Sequence, residues 1–340
     1  MHTMENKNEI KQYILNLIAD ERSAVAASTT KHFGIARTTV YNYINELISD
    51  GAIRKTQNGY ELTVSTICFL YKNDGKLSES RIYANDIEPI IADYPKNAIS
   101  TWRYAFTEMM SNAIEHSEAK NITVKVVRNG LCTSMYIIDD GVGIFKKISN
   151  HLMSTANSES PLCDCAAMLY PGKFTTAPEA HSGEGIFFTS QVMDKFLIMS
   201  DNVFYSRGVY EAADAADIEN ESGTSVFMSL ANDSNANTTE AFKRFSNAAG
   251  VFARTSIPVS RIFGGRDPIS RSEALTLEKL LVGFDEIELD FTNVNEIGQS
   301  FAHELFCVWQ KAHADVELSI VNVCDNVSFM IKRAINSRQN

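Results

Sequence analysis

Three short motifs, in fixed order, restrict what this chain can fold into more than any other feature. The first is Phe106-Thr-Glu108-Met-Met-Ser-Asn112-Ala-Ile-Glu115-His116. Its apolar residues recur at three and four, so it reads as a helix with Glu108 and Asn112 one turn apart on one face. A carboxylate and a carboxamide so placed suit a hydrated Mg2+ and a polarised water. The second, Met135-Tyr-Ile-Ile-Asp139-Asp140-Gly141-Val142-Gly143, is an apolar strand ending in acid and glycines. Asp139 can accept from an exocyclic amine, and the glycines let a ligand lie against backbone. The third, His181-Ser-Gly183-Glu184-Gly185-Ile-Phe-Phe188, opens a helix with glycines, where free N–H groups face an anion.

Composition narrows the class around these motifs. The 340 residues suit two or three domains, and 44% hydrophobic with 21% charged residues excludes disordered and collagen-like chains. No apolar run approaches the ~18–20 residues that cross a bilayer, and the N-terminus has no apolar leader. The expectation is a cytoplasmic protein with no membrane partner. Six scattered cysteines do not make a disulfide framework. Cys163-x-Cys165, with His151 and His181, has an unusual spacing for zinc and reads as reduced thiols. The net charge of −11 means that any nucleic-acid contact must come from a local surface.

Residues 1–64 read as helix, helix, Gly-containing turn, helix and hairpin. Ile10, Ile14, Leu17 and Ile18 mark the first helix, and Val25 to Phe33, capped by Gly34, the second. Val40, Ile44, Leu47 and Ile48 stripe the third, and Asn58-Gly59 supplies a hairpin turn. This order resembles a winged helix-turn-helix. The resemblance implies that the third helix enters the major groove with Arg37, Thr38, Thr39, Tyr41, Asn42 and Asn45, and that Arg54 and Lys55 lie on the wing. Between Asn8 and Val64, six Lys/Arg balance six Asp/Glu, so no basic stripe separates DNA contact from protein docking.

Taken together, the three motifs resemble the ATP-binding domain of the GHKL superfamily (gyrase-, histidine-kinase- and MutL-type ATPases) over residues 65–232. Glu108-x-x-x-Asn112-Ala-x-x-His116 matches its N box, Asp139-x-Gly141-x-Gly143 its G1 box and Gly183-x-Gly185 its G2 box. Lys173-Phe-Thr-Thr176 looks like the end of a histidine-kinase ATP lid. Gly223-Thr224, before the strand Ser225–Leu230, sits where the family has its last nucleotide box. The resemblance implies a Bergerat-type α/β sandwich with ATP and Mg2+ as cofactors. Asn112 would ligate Mg2+, Asp139 would accept from the adenine amine, and Thr224 would support the base. Gly141, Gly143, Gly183 and Gly185 would allow close approach, Lys173 would meet the γ-phosphate, and residues 144–182 would form the lid. Glu108 occupies the general-base position. The phosphoacceptor His-Glu of sensor kinases is missing, and His303-Glu304-Leu305 lies after the ATP domain. The N box looks more like that of anti-sigma-factor serine kinases.

A polar stretch, 231–239, reads as a linker into residues 233–340. There Glu286–Phe291, Ser300–Trp309, Val316–Val323 and Asn326–Ile335 read as strand, helix, strand, helix, a small α/β layer. Leu289-Asp-Phe-Thr-Asn-Val294 with Ile297-Gly-Gln-Ser300 resembles the STAS-like family fused to such ATP domains. Ser300 is then the candidate phosphosite, set against a role as helix cap. The basic, glycine-rich stretch from Ser260 to Arg271 is either a ligand loop or a connection. The fold expected is multidomain α+β. The function expected is an ATP-operated transcriptional regulator with winged-helix and STAS-like outputs. A serine/threonine kinase of the anti-sigma type and a nucleotide-gated scaffold are the alternatives. ATP, DNA, a protein at the STAS-like domain and a second copy of the chain are the partners to consider.

Overall fold

The computed structural model describes residues 4–22, 24–156, 161–175, 183–207 and 222–336. The chain is mixed α+β, with a large antiparallel sheet at its centre. At the N-terminal end, α1 (Met4–Ala19), α2 (Val25–Phe33) and α3 (Arg37–Ser49) precede the hairpin β1 (Ile53–Thr56) and β2 (Gly59–Leu62). Gly34 closes α2 at φ 64°, donating its N–H to the Thr30 carbonyl, as the Gly in that position predicts. The apolar stripes meet in a core of their own built on Ile10, Ile14, Val40 and Ile44. The hairpin departs from expectation by one residue. Thr56 pairs with Gly59, so Gln57 and Asn58 form the turn and Gly59 opens β2 at φ 143°.

The central unit is a six-stranded sheet in the order β3-β4-β5-β8-β6-β7, each neighbouring pair antiparallel. Its strands are β3 (Ser65–Lys72), β4 (Asn121–Arg128), β5 (Cys132–Asp139), β6 (Lys195–Ser200), β7 (Val203–Arg207) and β8 (Ser225–Ala231). After the short α4 (Glu79–Ile82), the long α5 (Lys96–His116) crosses one face. It buries Trp102, Phe106, Met109 and Met110, each large side chain contributing about 1.5–3 kcal/mol by leaving water. The same layer holds α6 (Ile144–Ala156), α7 (Leu162–Ala167) and α8 (Gly185–Val192). Phe187, Phe188, Met193 and Phe196 are core, as their apolar character predicts.

The 231–239 stretch is not a loose tether. Asn232 donates to the carbonyls of Leu131 and Asn129, and Thr101 Oγ1 donates to the Ala236 carbonyl at 3.0 Å. Beyond it come α9 (Thr238–Phe245), β9 (Arg254–Pro258), α10 (Val259–Ile262) and α11 (Arg271–Glu278). Then follow β10 (Glu286–Asp290), α12 (Gln299–His303), a π-helical continuation Glu304–Trp309, β11 (Glu317–Val321) and α13 (Asp325–Asn336). The sheet is parallel, β11-β10-β9. The sequence pattern marks two strands where the structure has three, because β9 is five residues of mixed polarity ending in proline. In the connecting stretch, Ser270 caps α11 in a capping box with Glu273, and Arg271 makes a bidentate pair with buried Glu304. Ser300 does not cap its helix. Gly298 holds that position, pressed against the Ile269 carbonyl, and Ser300 is an exposed residue of the first turn.

Candidate functional site

Strand alternation and helical spacing bring the three motifs around one cavity of about 370 Å3. On α5, Glu108, Met109, Asn112, Ala113 and His116 present one face to it. Ile137 on β5 pairs with Val226 on β8, which pairs with Ile198 on β6, so a row of three apolar side chains floors the cavity. Such a floor suits a planar ring. Asp139, two residues beyond Ile137 and on the same face, is the acid at its end.

Asp139 is 5% exposed, and its Oδ1 accepts from the N–H groups of Gly141 at 3.0 Å and Thr224 at 3.2 Å. The Thr224 side chain is a third hydrogen-bonding neighbour of this carboxyl. Burial pushes its pKa up to about 6, against the opposing pull of those N–H bonds. Thr224 also accepts from the Ile144 N–H at 3.0 Å, tying the acid to the start of α6. Neighbouring Asp140 plays a different part. It points the other way and accepts from Lys120 and Asn121, and the Asn121 bonds hold its carboxyl below the usual range.

The glycines are fixed by contact. A Cβ on Gly141 would strike the Ser117 carbonyl, and one on Gly185 would strike the Glu108 carboxylate. Gly143 and Gly183 take φ 84° and 77°. Glu108, Asn112, Asp139, Gly183, Gly185 and Thr224 thus line the cavity, while Gly141 and Gly143 build the turn behind it. The start of α8, Gly185 and Ile186, lines the same space, where a helix N-terminus presents its N–H groups. Beside Glu108 stands Glu184, whose carboxyl burial pushes up, and the Tyr104 hydroxyl is raised by burial and by both glutamates.

Lys173 is not where the motif comparison puts it. Its Nζ donates to the Gly283 carbonyl and lies 4.3 Å from the ring centroid of Phe284 and 5.4 Å from that of Phe252. Among the described residues, the lysine or arginine that lines the cavity is Lys147. It donates to the His116 carbonyl at 2.7 Å and to Glu118 at 3.0 Å. Little in its neighbourhood points to it, since tandem Lys146-Lys147 on an amphipathic helix reads as a solvated face. Thr176, His181 and Ser182, with part of the 144–182 lid, lie outside the described residues. So does the His181 end of the Cys163/Cys165 grouping.

On α3, Arg37, Thr38, Tyr41, Asn42 and Asn45 are exposed and Thr39 half-buried. Arg37 donates to the Tyr41 hydroxyl at 3.3 Å. On the hairpin, Lys55 and Arg54 are exposed, with Arg54 paired to Glu61. Among the described residues no helix is long and apolar enough to cross a membrane. The comparison with curated proteins found no match. Residues 275–328 match the family described as STAS-like domain of unknown function (DUF4325), so the parallel-sheet end of the chain carries a STAS-like domain.

Proposed function

We propose that the chain is an ATP-operated regulator in which a GHKL-type, Bergerat-fold unit binds Mg-ATP and governs the STAS-like domain and a winged-helix N-terminal unit. The observation that carries this reading is the convergence of Glu108, Asn112, Asp139, Thr224 and Gly183–Gly185 on one cavity. Their chemistry fits the ligand. A planar base suits the Ile137–Val226–Ile198 floor, and an exocyclic amine suits the acceptor carboxylate of Asp139. Phosphates suit the opening of α8. The lining holds Glu108, Asp139 and Glu184 against Lys147, so a polyphosphate there needs a divalent cation, for which the Asn112 side-chain oxygen is the ligand. Lys147 adds a cation to that lining.

Glu108 touches Gly185 at the phosphate end and stands one turn from Asn112. There it orients a water for hydrolysis or accepts the proton of a substrate hydroxyl. A protein serine kinase remains a second reading because the Ser300 hydroxyl is exposed on the STAS-like domain. The exposed α3 residues and Lys55 would read DNA, with Arg54 exchanging Glu61 for phosphate. The test uses γ-labelled ATP and Mg2+ with wild type beside Glu108→Ala. Free phosphate lost in the variant supports the regulator. Label on the protein, lost in the variant, supports the kinase. ATP affinity unchanged by Asn112→Asp would sink the site assignment.

A further inference from the structure

One wall of the cavity is also the seat of the C-terminal unit. Leu169, Phe174 and Thr175 line the cavity, and the residues between them face the other way. The Pro171 carbonyl accepts from Thr255 Oγ1 at 2.9 Å. Arg207 Nη2 bridges the carbonyls of Tyr170 at 3.1 Å and Ser256 at 3.0 Å. Lys173 ends the series in a cage made by the Phe252 and Phe284 rings and the Gly283 carbonyl, the last two within the STAS-like domain. The second wall repeats the arrangement. Gly183 to Ile186 line the cavity, and the next residue, Phe187, is fully buried with its ring 4.9 Å from Phe245 and from Phe252.

Lys173 is therefore held on the domain side by a neutral carbonyl and two ring faces; the Asp285 carboxylate favours its charge from nearby, and among the described residues no carboxylate is bonded to it. Cavity-lining Glu184 is near enough to act on its charge. Burial disfavours the ammonium where it now stands. A cation held by a neutral acceptor and ring faces will exchange for a polyanion within reach of the same side chain.

We propose that Lys173 is a two-position latch: with the cavity empty it fastens the STAS-like domain at Gly283, and a polyphosphate in the cavity draws it away and frees the 281–285 loop. The proposal rests on the cavity binding a nucleotide polyphosphate. Linkage then requires the reverse effect, that the docked domain lowers the apparent affinity for the ligand. Weakening the cage without touching Lys173 should raise that affinity.

The test is made on the full chain, with ATP and, as a ligand lacking phosphates, adenosine. Hydrogen exchange of residues 281–285 should rise on Mg-ATP and stay unchanged on adenosine. Phe284→Leu should tighten ATP about threefold to tenfold by weakening the cage. If Phe284→Leu does not fold, Lys173→Met serves in its place, since it keeps the stem and removes the charge. Its 281–285 loop should exchange fast without ligand, and ATP should add nothing. Failure of the two readings is distinguishable. If wild type binds no ATP, the function proposed above is wrong. If it binds ATP while loop exchange in wild type and in Lys173→Met stays the same as in the free wild type, the latch is wrong and the cavity reading stands.

Discussion

The two ends of the chain are attached to the central sheet in different ways. The N-terminal unit has its own core and meets the centre at one hairpin tip, where Gly130 lies against Leu15 and Ala52, and Leu131 packs on that core. One exposed hydrogen bond, Gln12 to Asp233 at 3.3 Å, adds to the contact. The C-terminal unit shares a single continuous core with the sheet layer. Their junction is aromatic: the Phe188 and Phe242 rings meet at 4.2 Å in a tilted pair, and Phe252 touches Phe187, Phe188 and Phe284. Units that share a core transmit strain because packed interiors do not deform smoothly. A unit held by one hairpin tip keeps its own stability. The cavity walls are thus coupled first to the STAS-like domain.

The largest expected effect breaks that junction. Phe188→Ala removes a buried ring that contacts α9 and the residues before β9, and should cost about 3–5 kcal/mol. Calorimetry should show the central and C-terminal units moving down together in one transition, with the N-terminal unit unshifted. Two separately shifted transitions would show that the core is not shared. A smaller effect follows from Asp139. Its carboxyl, raised from 3.8 to about 6, binds a proton more readily folded than unfolded. Stability without ligand is therefore full below the lower value and falls as pH rises through that window. Asp139→Asn keeps an acceptor for Gly141 and Thr224 and should stabilise the fold by about 1–3 kcal/mol at pH 8. Denaturant midpoints at pH 4 and pH 8 check the sign. No gain at pH 8 relative to pH 4 would contradict the burial of a charged group.

Gly130→Ala sharpens the other attachment. A Cβ there stands 3.3 Å from both Leu15 methyls, so the cost should be under about 1 kcal/mol and confined to docking of the N-terminal unit. Limited proteolysis near exposed Val64 should speed up, with the central transition unmoved. Smallest of all, Arg54→Ala removes a surface ion pair and should leave stability unchanged. If the proposed winged-helix contact with DNA holds, loss of its phosphate contact should reduce the salt slope of binding by about 1.

What was legible in the sequence was local. The cap at Gly34, the Glu108–Asn112 face and the strand ending at Asp139 follow from spacing, and the structure has each of them. What depends on distant partners was not. Lys173 beside a lid motif reads as a phosphate ligand because the spacing is silent about Phe252, Gly283 and Phe284. Ser300 reads as a cap because the contact that puts Gly298 there comes from Ile269, in another loop. β9 hides for a related reason: a short parallel strand draws its identity from its neighbours, and its own residues show weak alternation. The apparent linker at 231–239 is polar because Asn232 bonds the β4–β5 turn and Asn237 caps α9, which composition alone cannot tell from solvation.

The measurement closest to the central claim is equilibrium binding of ATP, with Mg2+, to wild type and Asp139→Asn. The variant keeps the acceptor for Gly141 and Thr224 and turns an amide donor toward the base amine. The account predicts that wild type binds ATP and that the variant, still folded, binds at least about tenfold more weakly, a loss of about 1.4 kcal/mol. Equal affinity in the two proteins would contradict it, because the acid at the end of the apolar floor would then have no part in holding a base.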